Sequence, residues 1–254
     1  MKNDHTLNKY LQIVDMALTT GYETRTMYEF HTKGDSEMFF AIRHDVDRKP
    51  KNALAMAKAE AERGVKASYY FRSVPASHDA DIIEAIRDMG HEIGYHYEDW
   101  HLAKYDPAIA DKLFRQHLER LQGIADIKTV CMHGSPLSSR NNLEFWDHFN
   151  PSDYDVVDCI INMNYAGTFY ITDAGRTWGQ TKANLRDEAP GAAIIPDIDS
   201  SDDLMMAMQT GNYPRIVIGC HPERWATGTG DWTGQYAKDQ LANNVKRVIR
   251  KVRG

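Results

Sequence analysis

Apolar residues recur along this chain in two rhythms, short continuous runs and stretches spaced three and four apart, which predict strands and helices in turn. Residues 6–19 carry Leu7, Leu11, Val14 and Leu18 at helical spacing, and Gly21 stops them. Met38 to Ile42 is a short apolar strand that runs into the polar cluster Arg43-His44-Asp45-Val46-Asp47. Pro50 to Arg63 reads as a helix, with proline at its start and Gly64 just past its end. A strand from Lys66 to Phe71, a helix from Asp79 to Met89 closed by Gly90, and a strand from His91 to His96 follow. Pro107 to Gly123 is an amphipathic helix, and Lys128 to Met132, Tyr154 to Ile161, Thr168 to Thr172 and Ala192 to Ile195 read as strands. Asp202 to Met208 is a helix, Arg215 to Cys220 the last strand, and Gln235 to Val252 the closing helix.

Repeated strand–helix units whose strands are apolar throughout imply a mostly parallel sheet covered by helices, an α/β fold. No repeat period is visible, and connections are short apart from Trp178 to Gly191 and Ala226 to Gly234. Residues 1–254 are therefore expected to form a single domain.

Charge and composition narrow the function classes. A formal net charge of -6 and a pI near 6.0 argue against a nucleic-acid or membrane-surface protein, which would show a basic face. The one basic run, Lys246 to Arg253, falls in the last turns of the expected closing helix, where cations suit the macrodipole. The N-terminal Met1-Lys2-Asn3-Asp4-His5 is polar and leads into a helix rather than an apolar signal core. No stretch approaches the roughly 18 consecutive apolar residues of a membrane span. Cys131, Cys159 and Cys220 are far apart in apolar segments, which suits buried thiols in a reducing compartment and points to the cytoplasm.

Chemistry gathers at one end of the strands. Asp45 and Asp47, His96, His133, Asp173 and His221 all sit at the C-terminal ends of expected strands, the edge at which parallel α/β folds bind ligands. If the first of these strands continues through residues 43–47, Asp45 and Asp47 point to the same side. Two carboxylates this close repel, so one wants a cation while the other stays basic. The competing use of Asp47 is as a cap for the helix at Pro50. In the segment His91 to His101, Gly90 and Gly94 permit close backbone approach, and His96 and His101 are candidate ligands for one metal ion. Glu98 competes with His101, and His91 reads as a structural tie. His133-Gly134-Ser135-Pro136 has the residue types of a strand-to-helix turn, with no nucleophile elbow around Ser135. His44-Asp45 forms an HD dipeptide, but at a strand end rather than in the helical bundle that HD phosphohydrolases need.

Arg43-His44-Asp45-Val46-Asp47, followed by Gly90-His91-Glu92-Ile93-Gly94-Tyr95-His96, resembles the polysaccharide deacetylase superfamily (NodB-type, carbohydrate esterase family 4-like), as a divergent branch. The resemblance implies a distorted (β/α) barrel of about seven parallel strands and one divalent metal ion, zinc foremost, with cobalt, nickel or manganese as substitutes. It makes Asp45 the catalytic base and Asp47 a metal ligand, although Val46 separates a pair that is usually adjacent. His96 matches the first ligand histidine. The second is expected where Trp100 stands, and His101 is one position late. His221 resembles the histidine that protonates the leaving group. The third motif, normally an arginine and a proline, is replaced by Cys131-Met132-His133-Gly134-Ser135-Pro136, so His133 becomes a substrate contact or a replacement ligand. Asp173-Ala174-Gly175-Arg176 with Trp178 resembles the aspartate–tryptophan motif, and Arg176 could return the missing arginine. Asp173, Arg176 and Trp225 are the further expected substrate contacts, with Tyr97 and Trp178 as candidate stacking rings.

The implied activity is metal-dependent removal of an N-acyl group, foremost acetyl, from a sugar or glycan precursor, with surface-polysaccharide synthesis as one setting. The alternatives are a non-catalytic glycan- or metal-binding protein on the same fold, or an amidohydrolase acting on a small non-sugar amide.

Overall fold

The computed structural model describes residues 4–34, 38–135, 138, 140–176, 178 and 189–253, without the side chains of 242 and 245–253. Pro136 of the altered third motif, most of the expected linker after Trp178, and the side chains of the C-terminal basic run thus lie outside the described residues.

The elements begin where local chemistry tells them to. Helix α1 (Leu7–Thr19) is capped by the Thr6 side chain, which accepts from Lys9 N–H. After the short strand β1 (Glu23–Arg25), α2 (Met27–Thr32) opens with a reciprocal capping box between Thr26 and Glu29. Strand β2 (Phe39–Val46) leads to α3 (Pro50–Ala61), with proline in its first turn. Strand β3 (Ser68–Phe71) precedes α4 (Ala80–Asp88), capped by Asp79, and β4 (Glu92–Tyr97) precedes the single turn α5 (Asp99–Leu102). Helix α6 (Pro107–Gln122) is capped by Asp106 and leads to β5 (Thr129–Met132). Two 3-10 turns, Asn142–Asp147 and Pro151–Tyr154, precede β6 (Val157–Asp158) and β7 (Phe169–Thr172). Helix α7 (Ser201–Gln209), β8 (Arg215–Cys220) and α8 (Thr229–Arg253) complete the chain, with a 3-10 turn at Pro222–Arg224.

All the strand pairings are parallel. Among the described residues the sheet has eight strands: seven follow the order β6-β5-β4-β3-β2-β8-β7, and β1 pairs beside the first half of β2. No ladder joins β6 to β7 among the described residues, so the curled sheet is an open half-barrel, as the expected distorted (β/α) barrel requires. Alternation along β2 sorts its side chains. Phe40, Ile42 and Val46 join the main core under the helices, while Phe39 and Ala41 join a second apolar cluster inside the barrel with Tyr70, Cys131, Cys159, Tyr170 and Val217. All three cysteines are buried. Gly94 faces the Tyr70 ring so closely that a Cβ there would overlap it, which leaves glycine as the only residue that fits.

Three expectations fail at the margins, the first being the connection from Ala226 to Gly234, which is helical from Thr229 where α8 begins. Ala192 to Ile195 is not a strand, since only Ala193 bridges to Phe169. The expected strand from Tyr154 to Ile161 shrinks to β6, because Tyr154 belongs to a 3-10 turn and Asp155 takes a left-handed φ of 57°. No helix among the described residues is long and apolar enough to cross a membrane.

Candidate metal and acid–base site

Five strands deliver polar side chains to the same rim. Strand β2 ends with Asp45 and Val46, and Asp47 follows; β4 carries His96; His133, Asp173 and His221 come immediately after β5, β7 and β8. Register fixes their neighbours: His96 pairs with Cys131 across β4–β5, and His44 with Cys220 across β2–β8.

Asp47, His96 and His133 form a tight triangle. His133 Nδ1 lies 2.9 Å from Asp47 Oδ1 and 3.2 Å from His96 Nε2, and His96 Nε2 lies 3.4 Å from Asp47 Oδ1. Ligands about 2.0–2.1 Å from one tetrahedral ion sit about 3.3 Å apart, so these edges fit a shared ion. Two further observations support that fit. Asp47 Oδ1 is buried yet accepts no well-aligned hydrogen bond. His96 Nδ1 is 3.0 Å from the Cys131 carbonyl, a bond that puts the proton on Nδ1 and turns the lone pair of Nε2 toward the triangle. Electrostatics agree. Burial disfavours a charged His96, but Asp45, Asp47 and the Cys131 thiol side chain hold it protonated up to about 10. Asp47 is driven well below the usual carboxylate range, because its two histidines outweigh burial. The carboxylates of Asp45 and Asp47 thus make this pocket one that favours positive charge.

Asp45 sits beside this triangle: its carboxylate, the His96 ring and Cys131 Sγ form a second, overlapping group of close ligating atoms. Arg43, two residues earlier on the same face of β2, places Nη2 3.0 Å from Asp45 Oδ2 and 2.9 Å from the Tyr170 hydroxyl. The other oxygen, Asp45 Oδ1, is buried and accepts no hydrogen bond. One oxygen of Asp45 is thus anchored, and the other is left without a donor.

Across the rim, Asp173 is fully buried and takes four donors: the His221 backbone N–H at 3.0 Å, His221 Nδ1 at 2.6 Å, Arg224 Nη1 at 2.7 Å and Trp225 Nε1 at 2.8 Å. These donors hold Asp173 far below the ordinary carboxylate range despite its burial. Burial and Arg224 both oppose charge on His221, yet the Asp173 carboxylate raises it to about 9. His221 is thus a histidine kept protonated, its Nε2 turned away from its orienting partner. Between the two halves lies Glu223, raised to about 7 by burial and by Asp47, with Arg48 as its ion-pair partner at 3.5 Å.

No protein-family model matches the chain, and no curated protein is significantly similar to it. Solved structures are. One is a mutant of a CE4 family pseudoenzyme, with 11% identity and a TM-score of 0.43, covering 84% of this chain and 64% of that one. Another is a mutant of the same pseudoenzyme described as having restored enzymatic activity, with 9% identity, a TM-score of 0.41, and again 84% and 64% coverage. The chain spans just under two thirds of the length of these neighbours. The chemistry of the site therefore rests on its own atoms.

The structure departs from several sequence expectations. His101 is not in the triangle: its ring is exposed on α5, with Nδ1 3.5 Å from the Tyr105 hydroxyl. Glu98, its competitor, is turned to Arg72, with Oε1 2.9 Å from Nε. His133 stands in the third position, because β5 runs beside β4 and its next residue meets the His96 ring. Arg176 does not reach Asp45; it pairs with Asp239 at 3.1 Å and packs against the stacked Trp232 and Tyr236 rings, while Arg43 is the arginine beside Asp45. Asp173, Trp225, Tyr97 and Trp178 are too deeply buried to meet a substrate. Trp225 packs against His5, Tyr10 and Trp178, and Asp173 accepts from His221 instead. Arg43 was the residue the sequence argument overlooked, although its place two before Asp45 was the available signal.

Proposed function

We propose that the chain is a metal-dependent hydrolase that removes an N-acyl group from an amino sugar or glycan precursor. The observation that carries this reading is the coincidence, on one strand edge, of the Asp47–His96–His133 triangle, an aimed carboxylate in Asp45 and a protonated histidine in His221. A binding protein needs the first, whereas hydrolysis of an amide needs all three.

Asp47, His96 and His133 would hold one divalent cation, zinc by the chemistry of a two-histidine, one-carboxylate set. Bound there, the ion supplies Lewis acidity toward the amide carbonyl and a water acidified toward neutrality. Asp45, anchored by Arg43 through one oxygen, uses the other to take the proton of the attacking water. His221 then gives its proton to the departing amine, and Asp173 keeps the ring in place and charged while it waits. The amine leaves neutral, Asp45 releases the proton taken from water to solvent, and His221 takes a proton back from solvent before the next turnover.

The test is acetate release from N-acetylated amino sugars, free and nucleotide-linked, by protein loaded with zinc, cobalt or nickel. We expect turnover that Asp45→Asn lowers by about 10²–10⁴-fold, with bound metal nearly unchanged. Full activity in that variant would sink the mechanism, and bound metal with no turnover on any acylated sugar favours the non-catalytic alternative.

A further inference from the structure

His133 lies one position past the end of β5, where the ladder no longer fixes the backbone. Its N–H still donates to the Tyr97 carbonyl of β4 at 2.8 Å. Its carbonyl is held by a side chain. Asn142, at the start of the 3-10 turn Asn142–Asp147 and buried to 1% exposure, donates from Nδ2 to the His133 carbonyl at 2.7 Å and to Ser135 Oγ at 3.2 Å. Asn142 Oδ1 accepts from the backbone N–H of His101 at 3.0 Å. One amide therefore ties the loop after β5 to the turn after β4, using its donors and its acceptor at once. The tie meets the loop where it turns most sharply, at Ser135, whose backbone takes a left-handed φ of 37°.

We propose that Asn142 is the positioning residue of His133, holding it against Asp47 and His96 so that the third corner of the triangle exists before any ion arrives. The proposal rests on reading those three residues as metal ligands. It also gives α5 a part in the site, through the amide of His101 rather than its ring. Without Asn142 the His133 carbonyl and the His101 N–H lose their common partner. The segment from His133 to Ser135 can then relax away from the Asp47–His96 pair, and each binding event must first reorder it.

Zinc affinity, measured by competition with a chromophoric chelator, tests this on the wild type, Asn142→Ala, His133→Ala and the double variant, with the melting temperature of the metal-free proteins read alongside. Loss of an outer-shell partner weakens metal binding by about 10–100-fold. We expect that loss in Asn142→Ala, and less than about a twofold further effect of the same change in the His133→Ala background. If Asn142→Ala does not fold, Asn142→Ser, whose hydroxyl reaches only one of the two partners, should show a smaller loss in the same direction. Unchanged zinc affinity in a variant of lowered stability would make Asn142 merely structural. An equal loss with and without His133 would also overturn the proposal. Wild-type protein that binds zinc no better than His96→Ala would instead overturn the ligand reading itself, and this proposal with it.

Discussion

Asp173 offers the sharpest handle on the acid half of the site. Asp173→Asn keeps the side-chain shape, removes the charge, and turns an N–H₂ group toward donors that now meet a carboxylate oxygen. His221 stands at about 9, against 6.5 for the free side chain. At about 1.4 kcal/mol for each pH step, the net hold on the charged ring, supplied mainly by Asp173 with a smaller part from Asp47 against burial and Arg224, is about 3 kcal/mol. The asparagine supplies none of it, while burial and Arg224 still oppose the charge, so His221 should titrate at or below 6.5. Because the folded value lies above the unfolded one, this pair's contribution to stability is complete below about pH 6.5 and is lost as pH rises through about 9. An isotope-edited NMR titration of the His221 ring in metal-free protein, assigned with His221→Ala, reads the effect without any substrate. We expect a midpoint near 9 in the wild type and at or below 6.5 in Asp173→Asn, with unfolding free energy falling less over that interval in the variant. A wild-type midpoint near 6.5, or an unmoved midpoint in the variant, would refute the argument.

Three further outcomes follow from the same geometry. Arg43→Met should cut turnover by at least about tenfold and leave zinc content unchanged, since it frees Asp45 to rotate without touching the triangle; loss of bound metal would contradict that division of labour. Glu60→Ala should destabilise the fold by about 3–5 kcal/mol in a denaturant titration. It leaves the buried Tyr10 and Tyr69 hydroxyls and His44 without the carboxylate that now receives them, and a cost below about 1 kcal/mol would show that the network is dispensable. His101→Ala should retain full zinc occupancy while His133→Ala loses it, by elemental analysis of the purified proteins; the reverse pattern would restore the spacing expected from the sequence.

The alternation of strands and helices was legible because each unit carries its own signals. The glycines after α3 and α4, the proline at the start of α3 and the unbroken apolar strands are local properties. Strand β8 coincides with its expected range, and α4 differs by a residue at each end. Short elements escaped notice: β1 has three residues and α2 six, too few for a period to emerge. Ala192 to Ile195 misled because a short apolar run looks the same whether it joins a ladder or merely touches one.

The site was legible as a set of strand ends but not as a set of contacts. Spacing along β4 pointed to His101, whereas the third corner comes from the neighbouring strand, and parallel register is set by packing across the sheet. Arg176 looked like the missing arginine by sequence order, yet a left-handed φ of 60° turns it to Asp239. Arg43 was within reach of the same-face argument that paired Asp45 with Asp47. Strand β2 keeps that alternation through Val46, so Arg43 and Asp45 share the barrel interior.

The central claim is that one ion sits among Asp47, His96 and His133. An anomalous-scattering map from a zinc-soaked crystal, collected on both sides of the zinc absorption edge, tests it most directly. The account predicts a single strong peak about 2.0–2.2 Å from Asp47 Oδ1, His96 Nε2 and His133 Nδ1. A peak coordinated by His101 or Glu98, or no peak at this rim, would contradict it.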